Sequence, residues 1–219
     1  ARLEHPLLTF DIFRNRIFSG GVVAAGFALT GLAAVELLTT QRFQIVAGYS
    51  PLEAGAIISA VVVASLPSSI IGGMVLHRVG FLPLISGGLF VAALGTLVAA
   101  LSVQTLAVFL TAMLFVGAGI GAVGGVASTA IVGSAPPHRE GMAASVEEIS
   151  FELGALTGVA LLGTLMSATR ARYDAPTTHP LTAYDMAYST VLTIAAGILL
   201  ASAIACAWLF RGNPKSPAR

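Results

Sequence analysis

Residues 106–134 read LAVFLTAMLFVGAGIGAVGGVASTAIVGS, from Leu106 to Ser134, without one charged side chain. An α-helix needs about 20 apolar residues to cross a hydrocarbon core of ~30 Å. A strand of this length would leave its backbone unpaired in lipid, so only a helix satisfies it. Working outward, comparable runs cover Ile17–Thr40, Leu52–Leu76, Leu82–Val103, Met142–Ala168 and Tyr188–Phe210. Turn-forming residues punctuate them at Gly48–Pro51, His77–Gly80 and Ala135–Gly141. The sequence therefore reads as all-α: a polytopic membrane protein with six transmembrane helices over 17–211. A linker occupies 1–16 and a tail 212–219.

Composition agrees. The 219 residues are 56% hydrophobic and 10% charged, whereas soluble domains carry about 25% charged residues. A net charge of +1 supplies no field for nucleic acid. The lone Cys206 excludes an intrachain disulfide framework and a cysteine metal cluster. The segment Ala1–Arg16 has no secretory-signal pattern, and its start without methionine reads as a fragment. With both ends placed in the cytoplasm, Arg2, Arg14, Arg16, Arg78, Arg139, Arg211, Lys215 and Arg219 fall inside. Only Arg42, Arg170 and Arg172 fall outside. That bias is the one expected of a multi-pass protein of the cytoplasmic membrane. Tyr184 and Tyr188 are then expected at the outer interface and Trp208 at the inner one.

Small residues mark where helices should meet. Gly117, Gly121, Gly124 and Ser128 share a helical stripe, which lets backbones approach in lipid. The fragment 119–124 also fits the GxGxxG pattern, but it lies inside an apolar span and not at a strand-to-helix turn, so no dinucleotide cofactor is implied. Pro67, beside Ser65, Ser68 and Ser69, reads either as a packing kink or as a hinge lining a cavity.

The residues that ask for a function are acids. Glu147, Glu148 and Glu152 lie ~9, ~10 and ~16 Å beyond Gly141 along a helix. A carboxylate that deep in lipid costs a few kcal/mol. No lysine or arginine lies in the inner two-thirds of any span, so these acids must be protonated, paired elsewhere or turned to a wet cavity that receives cations. Helical geometry places Glu147 on a stripe with Gly154 and Gly158, at a helix contact, as a coupling or gating residue. Glu148 and Glu152, four apart, share the adjacent face with Ser145 and Val159 and are expected to exchange protons or meet cations. Glu36, with Thr40 and Gln44 on one ridge, is a further candidate, with Arg42 as its nearest cation.

Several stretches resemble one family. LTFDIFRNR (8–16), QIVAGYSPLEAG (44–55), PPHREG (136–141) and above all EEISFELGALTG (147–158) are similar to the second half of the fourteen-span drug:proton antiporters of the major facilitator superfamily. That group includes the QacA-type quaternary-ammonium and multidrug exporters. The resemblance implies that the chain is a six-helix half-domain and that Glu147, Glu148 and Glu152 take part in recognising cationic substrates or in proton coupling. It also implies partners: protons, a small-molecule cargo, the lipid bilayer and the missing amino-terminal half of the transporter. The loop 73–83, GMVLHRVGFLP, departs from the family pattern, with His77 in place of an aspartate and the basic tail lost.

A second transport reading is export of a lipid, siderophore or other amphiphile on the same fold. An intramembrane enzyme lacks its parts, because His5, His77, His138 and His179 fall in loops or tails and no histidine pair has metal spacing. A scaffold would leave the buried acids without purpose.

Overall fold

The computed structural model describes residues 10–174 and 179–210. Residues 1–9 of the expected linker and the expected tail 212–219 lie outside them, as does Arg211. The chain forms α1 (Arg16–Ile45), α2 (Pro51–Val79), α3 (Phe81–Leu101), α4 (Leu106–Val132), α5 (Glu140–Tyr173) and α6 (Pro180–Phe210). All six are long and apolar enough to cross a membrane. Below, the end of the bundle where α1 begins is called proximal and the end where it finishes distal.

Local chemistry starts and stops these helices. Asn15 Oδ1 accepts the Ile17 N–H at 2.9 Å to open α1. Ser50 and Glu53 close a reciprocal capping box over the first turn of α2, with Pro51 at its first position. Gly80 ends α2 at φ 88° and allows α3 to begin at the next residue. The short 3-10 turn Phe10–Arg14 is docked on the bundle. Its Ile12 is buried with Phe18, Ala127 and Val146, and Asp11 pairs with Arg139 at 2.9 Å.

The sixth span is longer than the hydropathy reading. It starts at Pro180, not Tyr188, and the His179 carbonyl takes the N–H groups of Thr182 and Ala183 at 2.9 and 3.1 Å. Asp185 interrupts the apolar run but not the helix, because a cation on α1 meets it. Tyr184 and Tyr188 consequently face the bundle, at 3% and 0% exposure, and not its outer surface, where an interfacial belt would hold them. Trp208 is 74% exposed.

The packing is built on two glycine seams. In the first, a Cβ on Gly117 would land on the Val61 backbone, one on Gly121 on Ser65 and one on Gly125 on Ser69, which presses α4 against α2. In the second, Gly154 and Gly158 of α5 lie against the carbonyls of Gly26 and Thr30 on α1. Both advance four residues at a time, as small-residue contacts in lipid do. Gly124, expected on the first seam, has open space where its Cβ would be. The stripe runs through Gly125 because the parallel α2 backbone keeps a strict four-residue step with α4.

These seams reveal the architecture. The second helix of one three-helix unit packs on the first helix of the other, in both directions: α2 on α4 and α5 on α1. Likewise α3 packs on α4 and α6 on α1. A unit of three helices returns the chain to the opposite end, so α1–α3 and α4–α6 form inverted repeats. The central helices are well covered, with Leu38, Phe109, Met113, Leu192 and Leu199 buried between them. By contrast α2 shows Val63, Leu66, Ile70 and Met74, and α5 shows Leu153 and Leu156, all exposed.

Candidate functional site

Helix α5 sorts its three acids between two environments. Glu147 is buried at 9% exposure, and Ser128 of α4 is the polar side chain beside its carboxyl. It lies on the side of α5 that carries buried Ser150, Gly154 and Gly158. One residue on, Glu148 turns outward, and Glu152 follows it one turn later, both exposed. Around them the surface is largely apolar: Ile149 is 50% exposed, Leu153 59% and Leu156 63%. Ser145 is exposed one turn toward the proximal end.

Among the described residues the ion pairs are Arg42 with Asp185 and Arg139 with Asp11. None of the four candidate glutamates is in either. Two carboxylates therefore stand on an apolar helix face without a fixed cation. Such a pair can take up protons, accept a cationic ligand, or do each in turn. That is the chemistry available here.

Glu36 is partly exposed on α1, with Thr40 and Gln44 in the same condition. Its nearest cation in the sequence pairs elsewhere. Arg42 is turned onto α6, with its Nε 2.9 Å from Asp185 Oδ1. Six residues separate Glu36 from Arg42, which sets them roughly 120° apart around the helix. On α2, Ser65 lies with its backbone beneath Gly121, and its hydroxyl donates to the Val62 carbonyl at 3.0 Å. Pro67 is exposed within a continuous helix, and Ser68 is half-buried.

The polar group that sequence reasoning missed is at the distal end: Arg42, Asp185, Gln104, Thr39 and Tyr188. A signal existed. Asp185 and Tyr188 are one turn apart, as are Thr39 and Arg42, so each pair shares a face once α6 is extended back to Pro180.

Two inverted three-helix units, with unpaired acids along one open helix face, define a class: the building block of a secondary transporter. Comparison with known proteins names the family. Residues 15–219 match the Major Facilitator Superfamily, and the chain belongs to it, a family of transporters and not of enzymes. The methyl viologen resistance protein SmvA of Salmonella typhimurium is 34% identical over 168 residues, covering 75% of this chain and 34% of that protein. The puromycin resistance protein pur8 of Streptomyces alboniger is 31% identical over 218 residues, covering 95% of this chain and 43% of that one. The chain thus spans well under half the length of these relatives. The crystal structure of FucP in the outward conformation superposes with a TM-score of 0.66 over 92% of this chain and 50% of its own, at 19% identity, a likeness of fold alone.

Proposed function

We propose that the chain is the carboxyl-terminal half of a fourteen-span drug:proton antiporter in the cytoplasmic membrane. It exports small cationic or amphiphilic compounds in exchange for protons. One observation carries this reading: Glu148 and Glu152 stand one turn apart, exposed on a largely apolar helix face and in no ion pair among the described residues. Facing hydrocarbon, each would cost a few kcal/mol as a carboxylate. Protonation removes that cost, and so does an organic cation bound between them. The two occupants compete for the same charge, which is the minimal requirement for exchanging one for the other.

The relatives support the choice of cargo. SmvA is named for resistance to methyl viologen, an organic dication, and pur8 for resistance to puromycin. Glu147, buried beside Ser128 of α4, is the group through which the charge state of α5 reaches the neighbouring helix. Glu36 on α1, with Ser65, Pro67 and Ser68 on α2, extends the polar lining. The open faces of α2 and α5 are where an amino-terminal half would close the cavity. The bias of Lys and Arg along the sequence, eight in the segments read as inside against three outside, supports turning the proximal end toward the cytoplasm.

The test uses Glu148→Gln and Glu152→Gln in the full-length protein, with efflux of methyl viologen measured under an imposed pH gradient. Each substitution is expected to lower the rate at least tenfold while leaving the amount of protein in the membrane unchanged. Wild-type rates in both variants would sink the reading.

A further inference from the structure

The distal ends of α1 and α6 carry a polar seam that the acids of α5 do not use. Arg42 Nε and Nη2 donate to Asp185 Oδ1 and Oδ2 at 2.9 and 3.4 Å. Gln104 Nε2, from the α3–α4 connection, donates to Oδ2 at 3.1 Å. One turn deeper on both helices, the hydroxyls of Thr39 and Tyr188 meet at 2.8 Å, and neither residue has any exposure. Deeper again, the missing side chain of Gly31 admits Leu199, whose Cδ2 lies 2.7 Å from where a Cβ would be. The antiparallel α1 and α6 are therefore locked in register by two polar rungs followed by a close apolar contact.

The upper rung is unequally solvated. The Asp185 side chain is 21% exposed. It lines a recess of about 560 Å³ with Gln104, Tyr173, Ser189 and Thr190. The Arg42 side chain is 6% exposed, and its guanidinium carbon sits 4.9 Å from the centre of the Phe43 ring. In the packed state water reaches Asp185 more readily than Arg42. Separating the helices would break both polar rungs and the Gly31–Leu199 contact together, and would part Arg42 from the carboxylate that compensates it, a combined penalty. A transport cycle that pulled the end of α1 away from α6 would meet that penalty at every turnover.

We infer that Arg42 and Asp185 are positioning residues that hold the distal end of α1 against α6 through the whole transport cycle. The inference rests on the chain being part of a transporter, but not on which compound is moved.

The experiment places nitroxide labels at the exposed positions Gln41 and Leu181 of the full-length protein in lipid nanodiscs. The distance distribution between them is recorded at acid and alkaline pH, with and without methyl viologen. One narrow distribution, the same in all four conditions, is expected for wild type. Asp185→Asn is expected to broaden it or add a second population. Arg42→Asp combined with Asp185→Arg is expected to restore the narrow form. Two wild-type populations that exchange with pH or cargo would overturn the inference, and so would an unaltered distribution in Asp185→Asn. If Asp185→Asn fails to reach the membrane, the reversed pair decides: recovery of both insertion and the narrow distance supports the clasp, and no recovery overturns it. Failure of the drug-export reading would show separately, as absence of wild-type flux.

Discussion

Replacing Gly121 with alanine, and Gly124 with alanine as its control, tests the packing on which the site depends. A Cβ on Gly121 would lie 2.6 Å from the Ser65 Cα and 2.7 Å from its carbonyl carbon, both backbone atoms that cannot swing aside. Non-bonded carbons settle at ~3.5–4.0 Å, so α2 and α4 must part by on the order of 1 Å, forfeiting a quarter to a half of each close contact. Overpacking of this kind typically costs ~1–3 kcal/mol. At Gly124 nothing lies within 4 Å of the added atom. There alanine should stabilise by ~0.4–1 kcal/mol through the lost freedom of the unfolded chain. The two variants should therefore differ by ~1.5–4 kcal/mol, or roughly 3–16 °C in midpoint at ~2–4 °C per kcal/mol for a domain of this size. The assay is heating of the purified protein in mild detergent, followed by the fraction that remains monodisperse on size exclusion. Indistinguishable midpoints would refute the claim that the α2 and α4 backbones touch at Gly121.

Other expectations follow from the same geometry. Tyr188→Phe strands the buried Thr39 hydroxyl and should destabilise by ~1–3 kcal/mol, whereas Tyr188→Phe with Thr39→Val removes both partners and should recover most of it in a double-mutant cycle of thermal midpoints. Ser50→Ala removes the cap of α2, including the 3.3 Å bond to the Glu53 N–H. It should cost ~0.5–2 kcal/mol, read as faster amide exchange over the first turn of α2. Gly158→Ala drives a side chain onto the Thr30 carbonyl, while Gly163→Ala meets nothing. Only the first should lower the yield of folded protein. Glu147→Gln keeps the size and polarity of the side chain buried beside Ser128, so it should leave folding intact and change flux less than Glu148→Gln, measured side by side.

How far the sequence could be read depended on what kind of question was asked. The six spans follow from hydropathy because the penalty for exposing a polar backbone to lipid is local, and each helix satisfies it alone. The separation of Glu147 from Glu148 and Glu152 follows from helix geometry, which is also local. Errors arose where partners were distant. Reading α6 from Tyr188 left out the turns that hold Asp185, whose charge is met by Arg42 on a distant part of the chain. Assigning Arg42 to Glu36 used nearness in sequence, when the true partner lies 143 positions away. Placing Gly124 on the seam followed a stripe on one helix without the backbone of the second.

What the sequence determined by itself is the solvent, the helical class, the number of spans and the presence of three acids within one apolar span. Those properties depend on the transfer of each segment from water, and transfer is paid segment by segment. Tertiary structure alone decided which faces are covered: Gly125 in place of Gly124, Tyr184 and Tyr188 inward, Arg42 clasped to Asp185, and Glu148 with Glu152 left open on α5. Those outcomes depend on contacts between helices far apart in the chain, whose energies are set by approach distance and pairing, quantities that a hydropathy profile does not contain.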